Sequence, residues 1–529
     1  MRTLGGTGAL PGGSRNRTAV PRSPGRRPAD PLVPRDWAAP TPRQEMGESN
    51  AQLEKAEAAS LKPAVAGALA LAAALAALKY RRGPILGFDQ YYYCELAKQF
   101  ASSWPDRFGN AWPFGYPMAG ALLGRLGLPA FESLVAASAA CLLVLLATSA
   151  MVLRGRPLGW LAVLALAACP VISTQLGGLG SELPFSAAFM ALMVCLALWP
   201  ARGAVWAAPL CALLGFGFRY ASLIGFPVLG VWIIRHWAGL QSARRLGEAV
   251  LATGLAAAAA GCLLACNAMV SGHMSGMDRG SGSGLHSLPI ELSQLGWSVP
   301  SAIAGGWWRF EVGIRTAPGR LLGGLFCGAM LGLCLWAWLR PRSRYSRPLA
   351  LGATSYMLGM AVLHCVGGFD SLDNPRTFLP AFAPLLLLAV ERLGARRLLI
   401  GAGCGALLGL GIAASLRGIS RQIGGDVRAA VEPLRGRIGP ADRIAINDDA
   451  FSISAYFPQA TDRVYEAFWD GRNTDRFLVL CAKPVDRFGA SAGLSPLWTR
   501  IVSDEVARGG YRYILQTRSV VVAERASAP

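Results

Sequence analysis

Apolar segments long enough to cross a membrane recur along most of this sequence, and they constrain its fold more than any other feature. A helix needs about 20 consecutive apolar residues to cross the hydrocarbon core of a bilayer. The chain of 529 residues is 53% hydrophobic and only 16% charged, whereas soluble proteins carry about 25% charged residues. The sequence therefore predicts a polytopic α-helical membrane protein and excludes an ordinary soluble one.

About eleven segments have the length and composition of transmembrane helices. Their predicted ranges are 63–79, 131–153, 158–175, 183–200, 203–217, 221–235, 247–270, 321–339, 348–366, 377–391 and 398–416. Alternate connections between them are short and rich in arginine, and positive charge marks the cytoplasmic side of a span. We therefore expect a multi-pass protein of the inner (plasma) membrane with a cytoplasmic N-terminus, although Arg81 and Arg82 speak against this orientation.

The net charge of +20 would suggest a nucleic-acid partner in a soluble protein. Here many arginines lie in the short connections between apolar segments, where their charge orients the spans. We therefore expect membrane lipids around the chain and no nucleic acid.

The chain divides into three predicted regions. Residues 1–60 are rich in Arg, Pro, Gly and Ala without apolar periodicity, which predicts a disordered cytoplasmic segment. Residues 61–418 form the predicted transmembrane domain, with outer loops at 80–130 and 271–320. Residues 419–529 are mixed and charged and contain β-like runs, which predicts a small extracytoplasmic α/β domain. The runs are RIAIN (443–447), FLVLC (477–481), YRYIL (511–515) and SVVVAE (519–524).

The first outer loop opens with acidic and aromatic residues, FDQYYYCELAKQF. Tyr92, Leu96 and Phe100 follow helical spacing, which predicts an amphipathic helix. Asp89 would lie at its N-terminal end, as a catalytic carboxylate or as a cap for free backbone N–H groups. Tyr92 is a candidate substrate contact, because aromatic residues of this loop suit the headgroup layer.

Three further charged residues fall at predicted outer ends of spans. Glu182 follows a glycine-rich turn, and a carboxylate at membrane depth is costly unless it has a partner or a task. It could also be an acid favoured by the helix dipole. Arg219 and Arg376 are single guanidinium groups of a kind that suits phosphate or carboxylate. Snorkelling or pairing with a structural acid is the alternative for both.

The outer loop 271–320 is long and begins with the Gly/Ser-rich run SGHMSGMDRGSGSGLH. Its flexible composition suggests a loop that covers a substrate, with His273 as a candidate substrate contact. The spacing of its His and Asp residues matches no metal-ligand pattern. We assign no metal site and no cofactor, and leave a divalent cation open.

Two carboxylates and two arginines expected in one outer layer indicate a phosphorylated substrate on that side of the membrane. Nucleotide-activated sugars are made in the cytoplasm, so an outward-facing sugar transferase needs a donor anchored in the lipid. The reaction then requires a base near the acceptor hydroxyl and cations on the departing phosphate.

Several motifs in order along residues 65–418 resemble the GT-C superfamily of polyprenyl-phosphate-sugar-dependent glycosyltransferases. They are FDQYYYCELAKQF with WPFGYP, SELPF, GFGFRYASL and NPRTFLPAFAPLLLL. The closest likeness is to the bacterial relatives of protein O-mannosyltransferases and of lipid A aminoarabinose transferase. Asp89 and Glu182 are the candidate catalytic residues, because the resemblance implies that Asp89 is the acidic residue of the first outer loop, acting as base, and Glu182 the acidic residue of the second. Gln90 stands where many members carry another acid.

The resemblance also implies a function. The protein would move a sugar from a polyprenyl-phosphate-linked donor to a hydroxyl of a glycan, lipid or protein on the outer face, with inversion and with arginines on the donor phosphate. A lipid-linked-sugar flippase or transporter, an O-antigen ligase or polymerase, and a non-catalytic assembly factor are alternatives. Transporters tend to carry internal repeats and ionisable groups at mid-membrane, whereas here the charges fall at the ends of spans.

Overall fold

A computed structural model describes the chain in separate stretches. They are residues 62–78, 88–102, 113–156, 158–199, 201–237, 243–274, 284–304, 316–367, 376–394, 396–420, 430–439, 442–447, 450, 453, 456–457, 461–463, 476–481, 496–517 and 520–526. The predicted N-terminal segment 1–60 lies outside these stretches, as do parts of both predicted outer loops.

Helices account for most of the described residues. The first ten are α1 (Lys62–Leu78), α2 (Phe88–Ser102), α3 (Gly115–Gly124), α4 (Ala130–Val152), α5 (Gly159–Ala167), α6 (Pro170–Gly177), α7 (Glu182–Ala197), α8 (Arg202–Phe218), α9 (Gly225–His236) and α10 (Ala243–Ser271). The next five are α11 (Leu288–Ala304), α12 (Ala317–Leu339), α13 (Ser346–Gly367), α14 (Leu379–Leu393) and α15 (Arg397–Ser420). Short 3₁₀ helices lie at Tyr220–Ile224, Leu285–Ser287 and Glu432–Leu434.

Among the described residues, five helices are long and apolar enough to cross a membrane: α4, α10, α12, α13 and α15. Helices α5 and α6 qualify together as a sixth span, bent by 51° at their junction. Pro170 opens α6, and its missing N–H and fixed φ suit the first turn of a new helix. Every predicted span overlaps a helix or this bent pair, but eleven crossings remain a prediction.

Helix α7 forms the centre of the bundle. It is apolar around its whole circumference and is buried on nearly every side, as expected of a core helix. It packs against α4, α8 and α14, and Phe185 and Phe189 meet the ring of Tyr356 on α13. The long helices α10 and α12 instead expose many leucines, including Leu255 and Leu325.

The arginine-rich connections meet at one end of the bundle. Glu391, buried in the last turn of α14, accepts a hydrogen bond from Ser346 Oγ (2.8 Å) and pairs with Arg156 Nη2 (3.4 Å). Arg342 donates to the carbonyl of Arg392 at 2.7 Å. These contacts gather the connections after α4, α12 and α14, as the sequence analysis predicted. Which membrane face this end occupies stays a prediction.

Helix α11 lies within the predicted outer loop 271–320 and was not predicted. It packs closely on α12, because a Cβ on Gly296 would come within 1.8 Å of the Gly323 carbonyl oxygen. Trp297 Nε1 also donates to the carbonyl of Gly319 at 2.9 Å. The described part of this loop is therefore largely a packed helix.

The C-terminal region contains a five-stranded mixed sheet. Its strands are β1 (Ile444–Ile446), β2 (Thr461–Arg463), β3 (Phe477–Cys481), β4 (Tyr511–Gln516) and β5 (Val520–Arg525), in the order β2-β1-β3-β5-β4. The first three are parallel, and β5 runs antiparallel to β3 and β4. All four predicted β runs are strands, whereas β2 and a final helix, α16 (Pro496–Ala507), were not predicted.

The two faces of this sheet have different partners. Trp498 and Val502 of α16 pack on one face. The other face, which includes Ile444 and Val479, belongs to a hydrophobic cluster that also contains Tyr93 of α2. The described residues therefore contain an apolar link between the C-terminal sheet and the first outer-loop helix. The boundaries predicted for the three regions stay predictions.

Candidate functional site

Helix α2 holds Asp89 in its first turn. The helix is anchored by Leu96 and Phe100, which pack with Ala121 of α3. Its buried surface is wider than the single apolar face that was predicted, because Tyr91, Tyr93 and Cys94 are buried as well. A carboxylate at the start of a helix is favoured by the dipole, so this placement is stable and keeps Asp89 at the rim of the packed core.

Glu182 is the first residue of α7, and its side chain is only 2% exposed. The turn before it contains Leu179, which is buried with φ at 53°. A non-glycine residue in this left-handed region costs about 1–2 kcal/mol, and such strain is found most often at functional sites.

Gly180, in the same turn, leaves space for the side chain of Gln175 beside Glu182. A Cβ on Gly180 would come within 1.5 Å of the Gln175 side chain, so only glycine leaves room for that amide. In the amide orientation that gives both atoms a partner, the Gln175 nitrogen donates to Glu182 Oε2 at 2.7 Å and to the Gly180 carbonyl at 3.2 Å.

Arg219 lies at the corner between α8 and the 3₁₀ helix that follows, in an extended conformation. Its Nη1 donates to Glu182 Oε1 at 2.7 Å. The end of α8 is located by a close backbone contact, since a Cβ on Gly115 would come within 2.6 Å of the backbone of Gly217. This contact joins two of the motifs that resemble the GT-C superfamily, WPFGYP and GFGFRYASL.

Arg376 lies directly before α14 and reaches both carboxylates. Its Nε is 3.2 Å from Glu182 Oε1, and its Nη2 donates to Asp89 Oδ2 at 3.4 Å. The next residue, Thr377, is held by a hydrogen bond of 2.6 Å from the Tyr356 hydroxyl to its carbonyl. The core helix α13 thereby fixes the backbone that carries Arg376.

The structure brings together four of the six residues that the sequence analysis proposed, Asp89, Glu182, Arg219 and Arg376. Two carboxylates face two guanidinium groups, so the formal charge of this set is balanced. The two acids differ in access, because the Asp89 side chain is 36% exposed and that of Glu182 is 2% exposed. Asp89 is therefore the carboxylate of this set that an incoming molecule can reach.

Tyr93 belongs to this site and was missed by the sequence analysis. It follows Asp89 by four residues on α2, so both lie on the same helix face. Its hydroxyl donates to Ser181 Oγ at 3.0 Å, next to Glu182. The spacing of four residues between Asp89 and Tyr93 on one helix could have identified Tyr93 from the sequence. Tyr92, which was proposed instead, is half-buried and packs at the edge of the cluster shared with the C-terminal sheet.

His273 is exposed in the turn after α10, whereas the charged set lies at the buried ends of α7 and α8. Its role as a substrate contact stays a prediction, as does that of Tyr92. Within the described stretches, no group of three or more His, Cys, Asp or Glu residues could hold a metal ion. Asp89 and Glu182 both contact Arg376, a neighbour that disfavours a cation between them.

No family model and no curated protein matches this sequence. Solved structures do match the fold. ArnT from Cupriavidus metallidurans bound to undecaprenyl phosphate aligns with a TM-score of 0.51 at 13% identity, covering 87% of this chain and 97% of that chain. Its apo structure aligns with a TM-score of 0.52 at 14% identity and the same coverage. At such identities the likeness concerns the fold alone.

A weaker match is AglB, an archaeal oligosaccharyltransferase from Archaeoglobus fulgidus in complex with an inhibitory peptide and a dolichol-phosphate. Its TM-score is 0.40 at 12% identity, over 79% of this chain and 69% of that chain. This similarity is too low to support a conclusion about the fold. The fold assignment rests on the two ArnT alignments. Each alignment covers nearly the whole ArnT chain.

Proposed function

Because the chain has the GT-C fold of the ArnT structures, we propose that it is a membrane glycosyltransferase with a polyprenyl-phosphate-linked sugar donor. The sugar would pass to a hydroxyl group of a glycan, lipid or protein at the membrane surface. One observation carries the proposal. Asp89, Glu182, Arg219 and Arg376 come from four separate parts of the chain and converge in one charged set at the end of the central helices.

Asp89 is the proposed general base. Its side chain is 36% exposed, and its contact with Arg376 is long at 3.4 Å, so an acceptor hydroxyl can approach its carboxylate. In an inverting transfer the acceptor oxygen forms a bond to the anomeric carbon while the bond to the phosphate oxygen breaks. The hydroxyl proton passes to Asp89, and the electron pair leaves with the lipid phosphate.

Arg376 and Arg219 are the proposed phosphate-binding residues. Guanidinium groups bind phosphate through paired N–H donors and remain charged at every physiological pH. Negative charge builds on the phosphate as the glycosidic bond breaks, so fixed cations beside it lower the barrier. ArnT from Cupriavidus metallidurans was crystallised bound to undecaprenyl phosphate, which supports a donor of this class.

Glu182 takes a positioning role in this proposal, although the family resemblance ranked it with the catalytic acids. Its Oε1 is already paired with Arg219 and Arg376, and its Oε2 accepts from Gln175. A carboxylate that is buried and fully engaged is a poor proton acceptor, but it can fix two guanidinium groups toward one ligand.

The test is transfer by the purified full-length protein in detergent. A panel of radiolabelled polyprenyl-phosphate sugars is offered with a crude envelope fraction as acceptor, and release of polyprenyl phosphate is measured. We expect release by wild type and loss of about 10²–10⁴-fold in Asp89→Asn, the range for a general base. Glu95→Gln is the matched control, because Glu95 lies on the same helix and pairs with Lys98.

Two results would contradict the proposal. Full turnover in Asp89→Asn would remove that residue from the base role while keeping the enzyme class. No release from any donor by folded wild type would favour the flippase or assembly-factor alternative. Folding is checked by size-exclusion profile and thermal stability in the same detergent.

A further inference from the structure

Asn267 places a buried carboxamide near one end of the long apolar helix α10. The residue is 4% exposed, and its Nδ2 donates to the Tyr220 hydroxyl at 2.8 Å and to the Met274 carbonyl at 3.1 Å. Both N–H groups of the amide therefore have acceptors. A polar side chain in a membrane-spanning helix is costly, and it usually marks a functional region.

Tyr220 is the next residue after Arg219. Its ring packs against Phe216 of α8 at 5.6 Å and belongs to a small cluster that includes Ala260 of α10. The Tyr220 ring therefore lies between α8 and α10, and its hydroxyl accepts the hydrogen bond from Asn267. Tyr220 is joined to Arg219 by one peptide bond, so fixing Tyr220 also restricts the backbone of Arg219.

Arg219 has no helix of its own to fix it. Helix α8 ends at Phe218, the 3₁₀ helix starts at Tyr220, and Arg219 is the single extended residue between them. Its Nη1 must nevertheless stay within 2.7 Å of Glu182 Oε1 to keep the charged set in place. The corner is held on the α8 side by the Gly115–Gly217 contact and on the other side by Tyr220.

We propose that Asn267 is a positioning residue for the donor phosphate, acting through Tyr220 on Arg219. The inference rests on the proposed function. Removing the carboxamide breaks its hydrogen bond to the Tyr220 hydroxyl, loosens the corner and lets the Arg219 guanidinium drift from Glu182. The same side chain fixes the carbonyl of Met274, and so also locates the first residues of the segment that follows α10.

The test compares Asn267→Leu, Tyr220→Phe and the double variant in the full-length protein. Both single variants remove the hydrogen bond between Asn267 and the Tyr220 hydroxyl, and Asn267→Leu also removes the one to the Met274 carbonyl. We expect the donor KM to rise about three- to tenfold in both, the effect of the shared hydrogen bond. The double variant should show no rise beyond that of Asn267→Leu. The acceptor KM should stay at the wild-type value, which a general loss of structure would not allow.

Thr253→Val is the matched control on the same helix. The Thr253 hydroxyl is buried and has no hydrogen-bond partner within the described stretches, so its removal should leave the donor KM unchanged. Additive effects of the two single variants, or an unchanged donor KM in Asn267→Leu, would overturn the proposal.

Hydrogen–deuterium exchange of residues 215–224 separates this inference from the proposed function. We expect faster exchange there in Asn267→Leu and in Tyr220→Phe, but not in Thr253→Val. If wild type transferred no sugar, the proposed function would fail. Hydrogen–deuterium exchange of residues 215–224 would still show whether Asn267 stabilises the corner at Arg219. Unchanged exchange in both variants would overturn the inference whatever the activity.

Discussion

Arg376 and Glu182 form an ion pair, with Nε of the arginine 3.2 Å from Oε1 of the glutamate. The same oxygen accepts the hydrogen bond from Arg219. One carboxylate oxygen therefore fixes two cations, and Arg376 extends the set to Asp89. The arrangement leaves the two cations close together at a point where a phosphate with two or more oxygens could bind.

Arg376→Ala should weaken donor binding. A charge-assisted hydrogen bond contributes about 1.5–3 kcal/mol, so the affinity for undecaprenyl phosphate should fall roughly 10- to 150-fold. Binding is measured by titration of the lipid phosphate against the purified protein. Arg396→Ala is the control, because Arg396 is an exposed arginine just past the other end of α14. Equal affinities in the two variants would remove Arg376 from the donor site.

Glu182→Gln should destabilise the fold as well as the reaction. Removing one partner of a buried ion pair leaves the other charges uncompensated and costs about 3–5 kcal/mol. We expect a lower Tm in detergent, with partial recovery in the double variant Glu182→Gln/Arg219→Met, because one excess cation is then gone. A double variant less stable than Glu182→Gln alone would show that Glu182 is not the counterion of Arg219.

Gly115→Ala should impair transfer without touching a charged residue. The added methyl group would meet the backbone of Gly217 at 2.6 Å and push away the end of α8. Overpacking of this kind costs about 1–3 kcal/mol and would shift Arg219. Gly124→Ala in the same helix is the control, because its nearest neighbours lie at 3.7 Å. Equal turnover in both variants would mean that the contact does not locate Arg219.

The C-terminal sheet should lose stability in acid. The pKa of Glu524 is lowered, first by the hydrogen bond from Arg512 and then by that from Arg476. An unfolded glutamate titrates near its ordinary pKa of about 4.3. The ion pairs therefore contribute fully above that pH, and their contribution disappears as the pH falls through the lower folded pKa.

This acid dependence is measurable by pulsed hydrogen–deuterium exchange of residues 476–481 and 520–525 in the full-length protein. After incubation between pH 7 and about pH 3, wild type should lose protection at the acid end. In Glu524→Gln, the amides of these strands should be less protected from exchange at pH 7 than in wild type. Most of the loss of protection that wild type shows in acid should be absent. Superimposable curves for the two proteins would assign the acid response to other groups.

The helical segments and the candidate charged residues could be predicted because both are visible in local composition. Bilayer-length apolar runs form helices wherever they lie, and Glu182 and Arg219 stand out as charges at the ends of such runs. The strands of the C-terminal sheet were also predictable, since Ile444 and Val479 lie in short apolar runs bounded by polar residues. The strand β2, with the sequence TDR, has no such pattern and exists through its pairing with β1.

The polar contacts that complete the site depend on tertiary structure, and the sequence could not predict them. Gln175 reaches Glu182 only because Gly180 leaves space and Leu179 turns the chain. Tyr93 was overlooked in favour of Tyr92, since three consecutive tyrosines all fit an interfacial helix. Helix α11 was overlooked because its polar neighbours on both sides made the whole segment read as a loop.

The central helices are short. Helices α7 and α14 contain 16 and 15 residues, which at 1.5 Å per residue gives about 24 and 22 Å. A typical hydrocarbon core is about 30 Å thick. A helix of this length that crosses such a bilayer leaves an end below the membrane surface, so we expect a thinned membrane or admitted water where charged ends such as Glu182 lie. Turnover should then depend on lipid chain length, with bilayers of shorter acyl chains supporting the faster reaction.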